Sequence, residues 1–273
     1  MKHLFKSSLA ILIGLSLTVV SCKKDETPSG ENNNNNGGNG GLVIPQEQKA
    51  TVIYFGGTWC PPCGSAGKPA KEQIKAANPG KANIMSCQVG NDPMTNADAT
   101  AMNGVFRPSG VPAMYIGASD DQITAMVGIN PTTALNTVAA QLTKTAKSNV
   151  ILTATDAGDG LITVKANGKF FTDGTDEYTI GGYLLEGKLN HAQSSDASVE
   201  KNIHHDVLRA KFGDKILGEV IATAPKKDQT FESTLNFFIQ PTFKKENCSV
   251  MVILWKKSGT QYTISNSTTI KLK

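Results

Sequence analysis

The chain has 273 residues, 39% of them hydrophobic and 18% charged, which fits one or two globular domains. Its formal net charge is +4, and Lys2 and Lys6 near the N-terminus supply two of these positive charges. The remainder is close to neutral, so the composition excludes a strongly basic chain and gives no support for nucleic-acid binding.

The N-terminal segment, residues 1–21, has the pattern of a lipoprotein signal peptide. Lys2 and Lys6 form a positive region, and residues 9–20 form an apolar run that is too short for a comfortable bilayer span. The run ends in the letters VVSC, which resemble the lipobox of bacterial lipoproteins. That resemblance implies that Cys22 carries fatty acyl chains, such as palmitate, and becomes the new N-terminus. The alternative is a plain signal peptide with an incidental cysteine.

Residues 22–41 are expected to form a disordered tether. Residues 23–26, KKDE, resemble the export signals that send some lipoproteins to the outer membrane, even to its outer face. The run SGENNNNNGGNGG at 29–41 cannot build a core. A flexible tether of about 20 residues spans roughly 20–25 Å. We therefore expect a folded part held near the outer membrane, on its periplasmic face or at the cell surface.

Residues 42–148 alternate between strand and helix patterns. Strand-like runs lie at 51–55, 83–89, 112–116 and 123–127. Helices are predicted at 61–77, at 98–106 and from Pro131 onwards, where Asn130 is a suitable N-cap. The order strand, helix, strand, helix, strand, strand, helix predicts an α/β domain.

Residues 149–273 show a different pattern, with turn residues between short alternating runs and no helical period. Eight strand-like runs lie at 150–155, 161–171, 177–187, 203–211, 216–223, 231–240, 249–256 and 261–272. Short strands at this spacing predict an all-β antiparallel sandwich, immunoglobulin-like or jelly-roll-like. The polar segment 190–202 is expected to be a long exposed loop.

The stretch GTWCPPCG at 57–64 holds the residues with the clearest chemistry. A zinc site needs four ligands, and the nearest downstream histidine is His191 in the other predicted domain. A structural staple is also a poor fit, because closing a two-residue loop removes little chain entropy. Pro61 suits the first turn of a helix, so Cys60 would lie at a helix N-terminus that favours its thiolate. The pattern therefore favours a redox pair with Cys60 as the nucleophile and Cys63 as the resolving thiol.

The motif WCPPC between a strand and a helix, followed by SGVPAMYI at 109–116, resembles the thioredoxin superfamily. The resemblance implies a cis-proline at Pro112 and a backbone at Val111 that pairs with an extended substrate. It also implies that Trp59 covers the sulfur and forms substrate surface, although a simply packed aromatic is the alternative. One position departs from the pattern, because Tyr54 stands where thioredoxin has a buried aspartate that accepts a proton from the resolving cysteine.

Most of the chain, residues 49–273, also resembles a narrower family. These are lipoproteins associated with the outer membrane of Gram-negative bacteria, with an N-terminal thioredoxin-like domain and a C-terminal β-sandwich. The resemblance is carried by GTWCPPC, SGVPAMY, IHHDVLRAKFGD at 203–214 and NFFIQPTFKKENCSVMVILWKKS at 236–258. It implies the architecture more than it implies an activity.

The remaining candidate groups favour structural roles. His204 and His205 are neighbours in a predicted strand and would point to opposite faces, so we expect polar surface or turn residues and no metal site. Cys87 and Cys248 are expected to be separate thiols, with a disulfide between the domains as the alternative in an oxidising compartment. The sequence calls for no cofactor.

Two functions follow as hypotheses. The first is a lipid-anchored, extracytoplasmic thiol–disulfide oxidoreductase that acts on protein thiols and disulfides, with the membrane as a partner through the lipid and with no nucleic-acid partner. The second is a non-catalytic binding or adhesion lipoprotein that uses the thioredoxin fold as a scaffold. The sequence does not set the reduction potential, so the direction of electron flow stays open.

Overall fold

The computed structural model describes residues 42–194 and 202–273. The predicted signal peptide (1–21), the predicted lipidation site (Cys22) and the predicted tether (22–41) lie outside the described residues. Within the described part of the chain, no helix is long and apolar enough to cross a membrane.

The described residues form strands and helices whose bounds are as follows. The helices are α1 (Lys68–Ala77), α2 (Ala97–Phe106) and α3 (Pro131–Leu142). The strands are β1 (Ala50–Gly56), β2 (Ala82–Gln88), β3 (Ala113–Gly117), β4 (Thr124–Val127), β5 (Ser148–Gly158), β6 (Leu161–Phe170), β7 (Glu177–Glu186), β8 (Leu189–Asn190), β9 (Ile203–His204), β10 (Val207–Lys211), β11 (Glu219–Thr223), β12 (Thr230–Phe238), β13 (Cys248–Ser258) and β14 (Gln261–Lys271).

The first part of the chain has the predicted order of strands and helices, which is confirmed. Strand β1 is buried along its whole length and pairs in parallel with β2 and antiparallel with β3. The parallel pairing requires a crossover, which α1 provides. Asn130 caps α3 as predicted, its side-chain oxygen accepting from the backbone N–H of Thr133, and Pro131 occupies the first turn.

The second part forms the predicted β-sandwich. Strands β5, β6 and β12 make a three-stranded antiparallel sheet that packs on β7, β13 and β14. Strand β6 alternates between exposed and buried residues, which turns Ile162 and Val164 inward. There they pack against the buried side chains of Leu184 and Leu254 on the facing sheet.

One nine-stranded sheet runs through both parts of the sequence. Its order is β14-β13-β7-β10-β2-β1-β3-β4, with β11 also paired to β7. Strand β10 makes the junction, pairing in parallel with β2 at Val207 and Ser86 and antiparallel with β7. The predicted domain boundary at residue 148 falls on the first residue of β5. The parts of the chain before and after it share the nine-stranded sheet and one of the cores that pack on it.

Candidate functional site

The Cys-Pro-Pro-Cys motif follows β1 and starts a helical segment. Helical conformation begins at Pro61, passes through a π-helical turn at Cys63–Gly67 and continues into α1. Cys60 and Cys63 are joined by a disulfide. The backbone N–H of Cys63 donates to the carbonyl oxygen of Cys60 at 3.1 Å and lies 3.2 Å from its Sγ. Cys60 is therefore at the N-terminal end of the helix, where the helix dipole and the nearby N–H of Cys63 favour negative charge.

The disulfide is almost closed off from solvent, whereas the residue before it is not. Cys60 is 3% exposed and Cys63 is 2% exposed, but Trp59 is 49% exposed. The Trp59 indole Nε1–H donates to the carbonyl of Val89 at 3.0 Å, and its ring packs on Gly90. Trp59 thus offers an anchored aromatic surface next to the two sulfurs.

The loop before β3 faces the disulfide. The Val111–Pro112 peptide bond is cis. The carbonyl oxygen of Val111 lies 3.7 Å from Cys60 Sγ, and the carbonyl of Pro112 accepts from the backbone N–H of Gly128 at 3.1 Å. The tertiary structure therefore brings Trp59, Val111 and Pro112 together around the cysteine pair.

Tyr54 fills the space beneath the motif. It is buried, and its hydroxyl lies beside Gly67 and the ring of Pro112, because a Cβ at Gly67 would come within 2.6 Å of Tyr54 Oη and 3.0 Å of Pro112 Cβ. Burial raises the pKa of the Tyr54 phenol, and the charge of Asp92 raises it further. The phenol therefore stays protonated and does not reproduce the carboxylate of thioredoxin.

Lys71 lies over Tyr54. Its Nζ is 4.3 Å from the centre of the Tyr54 ring and donates to Ser86 Oγ at 2.8 Å. Burial lowers the pKa of the Lys71 ammonium to about 8, while the charge of Asp206 opposes that shift. Lys71 therefore packs against the tyrosine ring in a site that disfavours its charged form.

Asp92 is a site residue that the sequence reasoning missed. It is buried, and its carboxylate accepts from the backbone N–H of Thr58 at 2.5 Å and from that of Met94 at 2.8 Å. Asp92 thereby fixes the loop that leads into the motif. The sequence does contain a signal for this contact. Strands β1 and β2 are parallel neighbours, so the loops that follow them leave the same edge of the sheet, and Asp92 after β2 is expected near the motif after β1.

Gln193 corrects the expectation that 190–202 is an exposed loop. Gln193 is 6% exposed, and its Nε2 lies within hydrogen-bond distance of the carbonyl oxygens of Gly57 (3.3 Å), Thr58 (3.1 Å) and Cys60 (3.1 Å). The backbone N–H of Ser194 donates to the same Thr58 carbonyl at 2.6 Å. The expectation was wrong here because polar composition alone does not reveal docking onto a loop that is distant in sequence.

The two neighbouring histidines have different environments, and the expectation that both are polar surface or turn residues was wrong for His204, because the segment 191–194 packs over its ring. His204 is buried, and its Nε2 lies 3.0 Å from the carbonyl oxygen of His191, whereas His205 is exposed. Burial lowers the pKa of His204 to about 4, so its ring is neutral at physiological pH and donates to that carbonyl. Among the described residues, no group of three or more potential ligands could hold a metal ion.

The two other described cysteines are separate buried thiols. Cys87 lies in β2 and Cys248 begins β13, and they are not joined. Burial raises the pKa of the Cys87 thiol and raises that of Cys248 to about 12. Both therefore remain protonated thiols, whereas Cys60 and Cys63 are joined in a disulfide.

Comparison with solved structures finds a match that covers most of the chain. No protein-family model and no curated protein matches the sequence. Among solved structures, the chain is similar to HBP35 of Porphyromonas gingivalis, with a TM-score of 0.69 and 14% identity over 84% of this chain and 76% of that one. At this identity the likeness shows the fold alone. The predicted fold class, a thioredoxin-like domain followed by a β-sandwich, is confirmed.

Two further solved structures resemble smaller parts of the chain. One is a domain of the outer membrane lipoprotein Omp28 from Porphyromonas gingivalis, with a TM-score of 0.33 and 20% identity over 47% of this chain and 89% of that one. The other is a thiol:disulfide interchange protein of the thioredoxin family from Chlorobium tepidum, with a TM-score of 0.30 and 18% identity over 34% of this chain and 80% of that one. Scores at this level support no conclusion about this chain.

Proposed function

We propose that this chain is a lipid-anchored, extracytoplasmic thiol–disulfide oxidoreductase whose redox pair is Cys60 and Cys63. One observation carries the proposal: a Cys60–Cys63 disulfide at the start of a helix, facing the cis Val111–Pro112 bond. A helix N-terminus favours the thiolate that thiol–disulfide exchange requires.

The exchange starts from the oxidised pair. A thiolate of a protein substrate attacks Cys60 Sγ, the Cys60–Cys63 bond breaks, and the electron pair leaves on Cys63. A second substrate thiolate then attacks the substrate sulfur bound to Cys60, forming a substrate disulfide and releasing the Cys60 thiolate. Two electrons pass from the substrate to the pair. The two substrate thiols release their protons to the solvent, and the Cys60 and Cys63 thiolates take up protons from it to become thiols. The reverse sequence reduces a substrate disulfide.

The surface formed by Trp59 and Val111 beside Cys60 is the proposed substrate site. An extended substrate segment would pair with the backbone of Val111 and lie against the exposed face of Trp59, with Pro112 shaping the turn. The half-exposed indole and the Val111 carbonyl at 3.7 Å from Cys60 Sγ support this assignment. Residues 42–148 would carry the redox chemistry, and residues 149–273 would present that part of the chain or bind a partner.

The cellular location is proposed from the sequence. Removal of residues 1–21 and acylation of Cys22 would leave 22–41 as a tether at the outer membrane, on its periplasmic face or at the cell surface. Metabolic labelling with a radioactive fatty acid tests the anchor, with Cys22→Ala as the unlabelled control. Protease treatment of whole cells then reports which face carries the folded part.

Trapping of intermediates tests the activity. Cys63→Ala removes the resolving thiol, so the reduced variant should accumulate mixed disulfides between Cys60 and cellular proteins. The double variant Cys60→Ala/Cys63→Ala is the matched control and should accumulate none. If Cys63→Ala traps nothing and the reduced wild type does not accelerate insulin-disulfide reduction over free dithiothreitol, the oxidoreductase proposal fails.

The second candidate is a non-catalytic binding or adhesion lipoprotein that uses this fold as a scaffold. It is favoured by the near-complete burial of both cysteines and by Tyr54 in place of the carboxylate of thioredoxin. Under this alternative the disulfide is structural. A wild-type disulfide that survives dithiothreitol in the folded protein, together with the absence of trapped partners, would support it.

A further inference from the structure

The segment 191–194, which we call the strap, reaches from the sandwich part of the chain to the redox motif. Gln193 approaches the carbonyls of Gly57, Thr58 and Cys60 with one side-chain nitrogen, at 3.1 to 3.3 Å. Because an amide nitrogen has two hydrogens, these contacts are shared among the three acceptors. The contact joins residues that are 133 to 136 positions apart in the sequence.

The strap is held in place independently of the motif. Strands β8 and β9 pair at its base, and Asn202 accepts from the backbone N–H groups of both His191 (2.9 Å) and Gln193 (3.0 Å). His204 adds a bond to the carbonyl of His191 at 3.0 Å. The amide of Gln193 is therefore positioned by its own hairpin before it contacts the motif, which lowers the entropy lost in forming the contact.

Gly64, directly after Cys63, makes this close approach feasible. A Cβ at this position would lie 2.7 Å from Gln193 Cγ and 2.9 Å from the carbonyl oxygen of Ser194. The strap thus covers the motif on the side of Cys63 and Gly64, while Trp59 remains 49% exposed beside Cys60. The strap and the motif are complementary in shape as well as in hydrogen bonding.

We propose that Gln193 is a positioning residue of the redox pair and helps to set its reduction potential. The inference rests on the oxidoreductase function proposed above. An N–H donor on the Cys60 carbonyl brings partial positive charge to the end of the helix where the Cys60 thiolate forms on reduction. Removing the donor should therefore disfavour the reduced pair, and placing a carboxylate there should disfavour it more.

Two variants of similar size and one control separate these effects. Gln193→Met keeps the volume and removes the donors, whereas Gln193→Glu places a negative charge at the same carbonyls. Ser194→Ala is the control, because it retains the backbone N–H that bonds Thr58. Each protein is equilibrated in glutathione redox buffers, and the reduced fraction is read by alkylation and mass spectrometry.

We expect the equilibrium constant to shift towards the disulfide by about threefold in Gln193→Met and by about tenfold or more in Gln193→Glu. The midpoint of thiolate titration should move upwards in the same order, and Ser194→Ala should match the wild type. Folded variants with unshifted equilibria would overturn the inference while leaving the oxidoreductase function intact. Unfolding of Gln193→Met would also overturn it, since the contact would then be structural. A wild-type disulfide that survives dithiothreitol, together with a Cys63→Ala variant that traps no partner, would instead reject the function itself.

Discussion

At the scale of single residues, the site depends on glycines that let larger side chains approach the backbone. Tyr54 occupies the space beneath the motif because neither Gly56 nor Gly67 has a Cβ to exclude its ring. Gly67 has φ −63° and ψ −48°, a helical conformation open to any L-residue. The requirement for glycine at this position is therefore steric and comes from Tyr54 and Pro112.

We expect Gly67→Ala to lower the free energy of unfolding by about 1–3 kcal/mol, because the added methyl overpacks against Tyr54 and Pro112. Gly104→Ala is the matched control. Gly104 is an exposed residue in α2 with nothing within 4 Å of an added Cβ, so alanine should stabilise the protein by about 0.5–1 kcal/mol. Urea denaturation measures both changes. Equal stability of Gly67→Ala and the wild type would contradict the steric argument.

At the scale of elements, α2 is joined to the sheet through its first turn. Asn96 caps the helix by accepting from the backbone N–H of Ala99 at 2.9 Å, and its Nδ2 also donates to the carbonyl of Leu208 at 2.6 Å. Asp98 accepts from the backbone N–H of Lys211 at 2.9 Å. One helix end is thus both capped and bonded to β10.

Asn96→Ala should therefore cost more stability than the equivalent change at another capped helix. Asn130→Ala removes only the cap of α3 and should cost about 1 kcal/mol. Asn96→Ala removes a cap and a bond to β10, and we expect about 2–3 kcal/mol. Chemical denaturation of the two variants under the same conditions gives the comparison. If the two losses are equal, the bond to Leu208 contributes nothing to stability.

The strap hairpin should weaken on acidification because His204 is buried in its neutral form. Its pKa is lowered to about 4 in the folded protein from an unfolded value near 6.5. Between these values the unfolded state binds a proton that the native state does not, so stability falls as the pH drops through this window. The loss should be of the order of 1–3 kcal/mol.

His204→Gln isolates this effect, since glutamine retains a donor for the His191 carbonyl and does not titrate. The free energy of unfolding is measured for both proteins at pH 7 and pH 5. The wild type should lose more stability between these values than the variant does, because the contributions of all other groups are common to both. Parallel losses in the two proteins would show that His204 is not responsible.

At the scale of the whole molecule, the thioredoxin-like part (42–148) and the sandwich part (149–273) share one core. Phe55 and Met85 from the first part pack in the same cluster as Leu208 and Trp255 from the second, and all four side chains are fully buried. Strand β10 also supplies a hydrogen-bonding partner to β2. Separating the parts would expose this apolar surface and an open strand edge.

We accordingly expect the folded chain to unfold in one cooperative transition, with equal calorimetric and van't Hoff enthalpies. A chain of residues 42–148 alone should lack stable tertiary structure, seen as lost near-ultraviolet circular dichroism. Residues 42–273 provide the matched control, because they retain β10 and the shared core. Two resolved calorimetric transitions, or a stably folded 42–148, would contradict this expectation.

The sequence by itself determined the local features of this protein. The alternation of apolar residues predicted the strands, the Asn130-Pro131 pair predicted the start of α3, and the Cys-Pro-Pro-Cys spacing predicted a cysteine pair at the start of a helix. Each of these features depends on residues that are close together along the chain, where backbone geometry and capping act directly.

Only the tertiary structure decided the long-range features. The pairing of β10 with β2, the buried amide of Gln193 on the motif and the carboxylate of Asp92 at Thr58 join distant segments. Local patterns carry little information about such contacts. A polar loop satisfies its hydrogen bonds equally well with water or with a complementary protein surface, so its composition does not reveal which of the two it meets. Their formation depends on burying one shared apolar core and on satisfying the backbone groups that this burial removes from water.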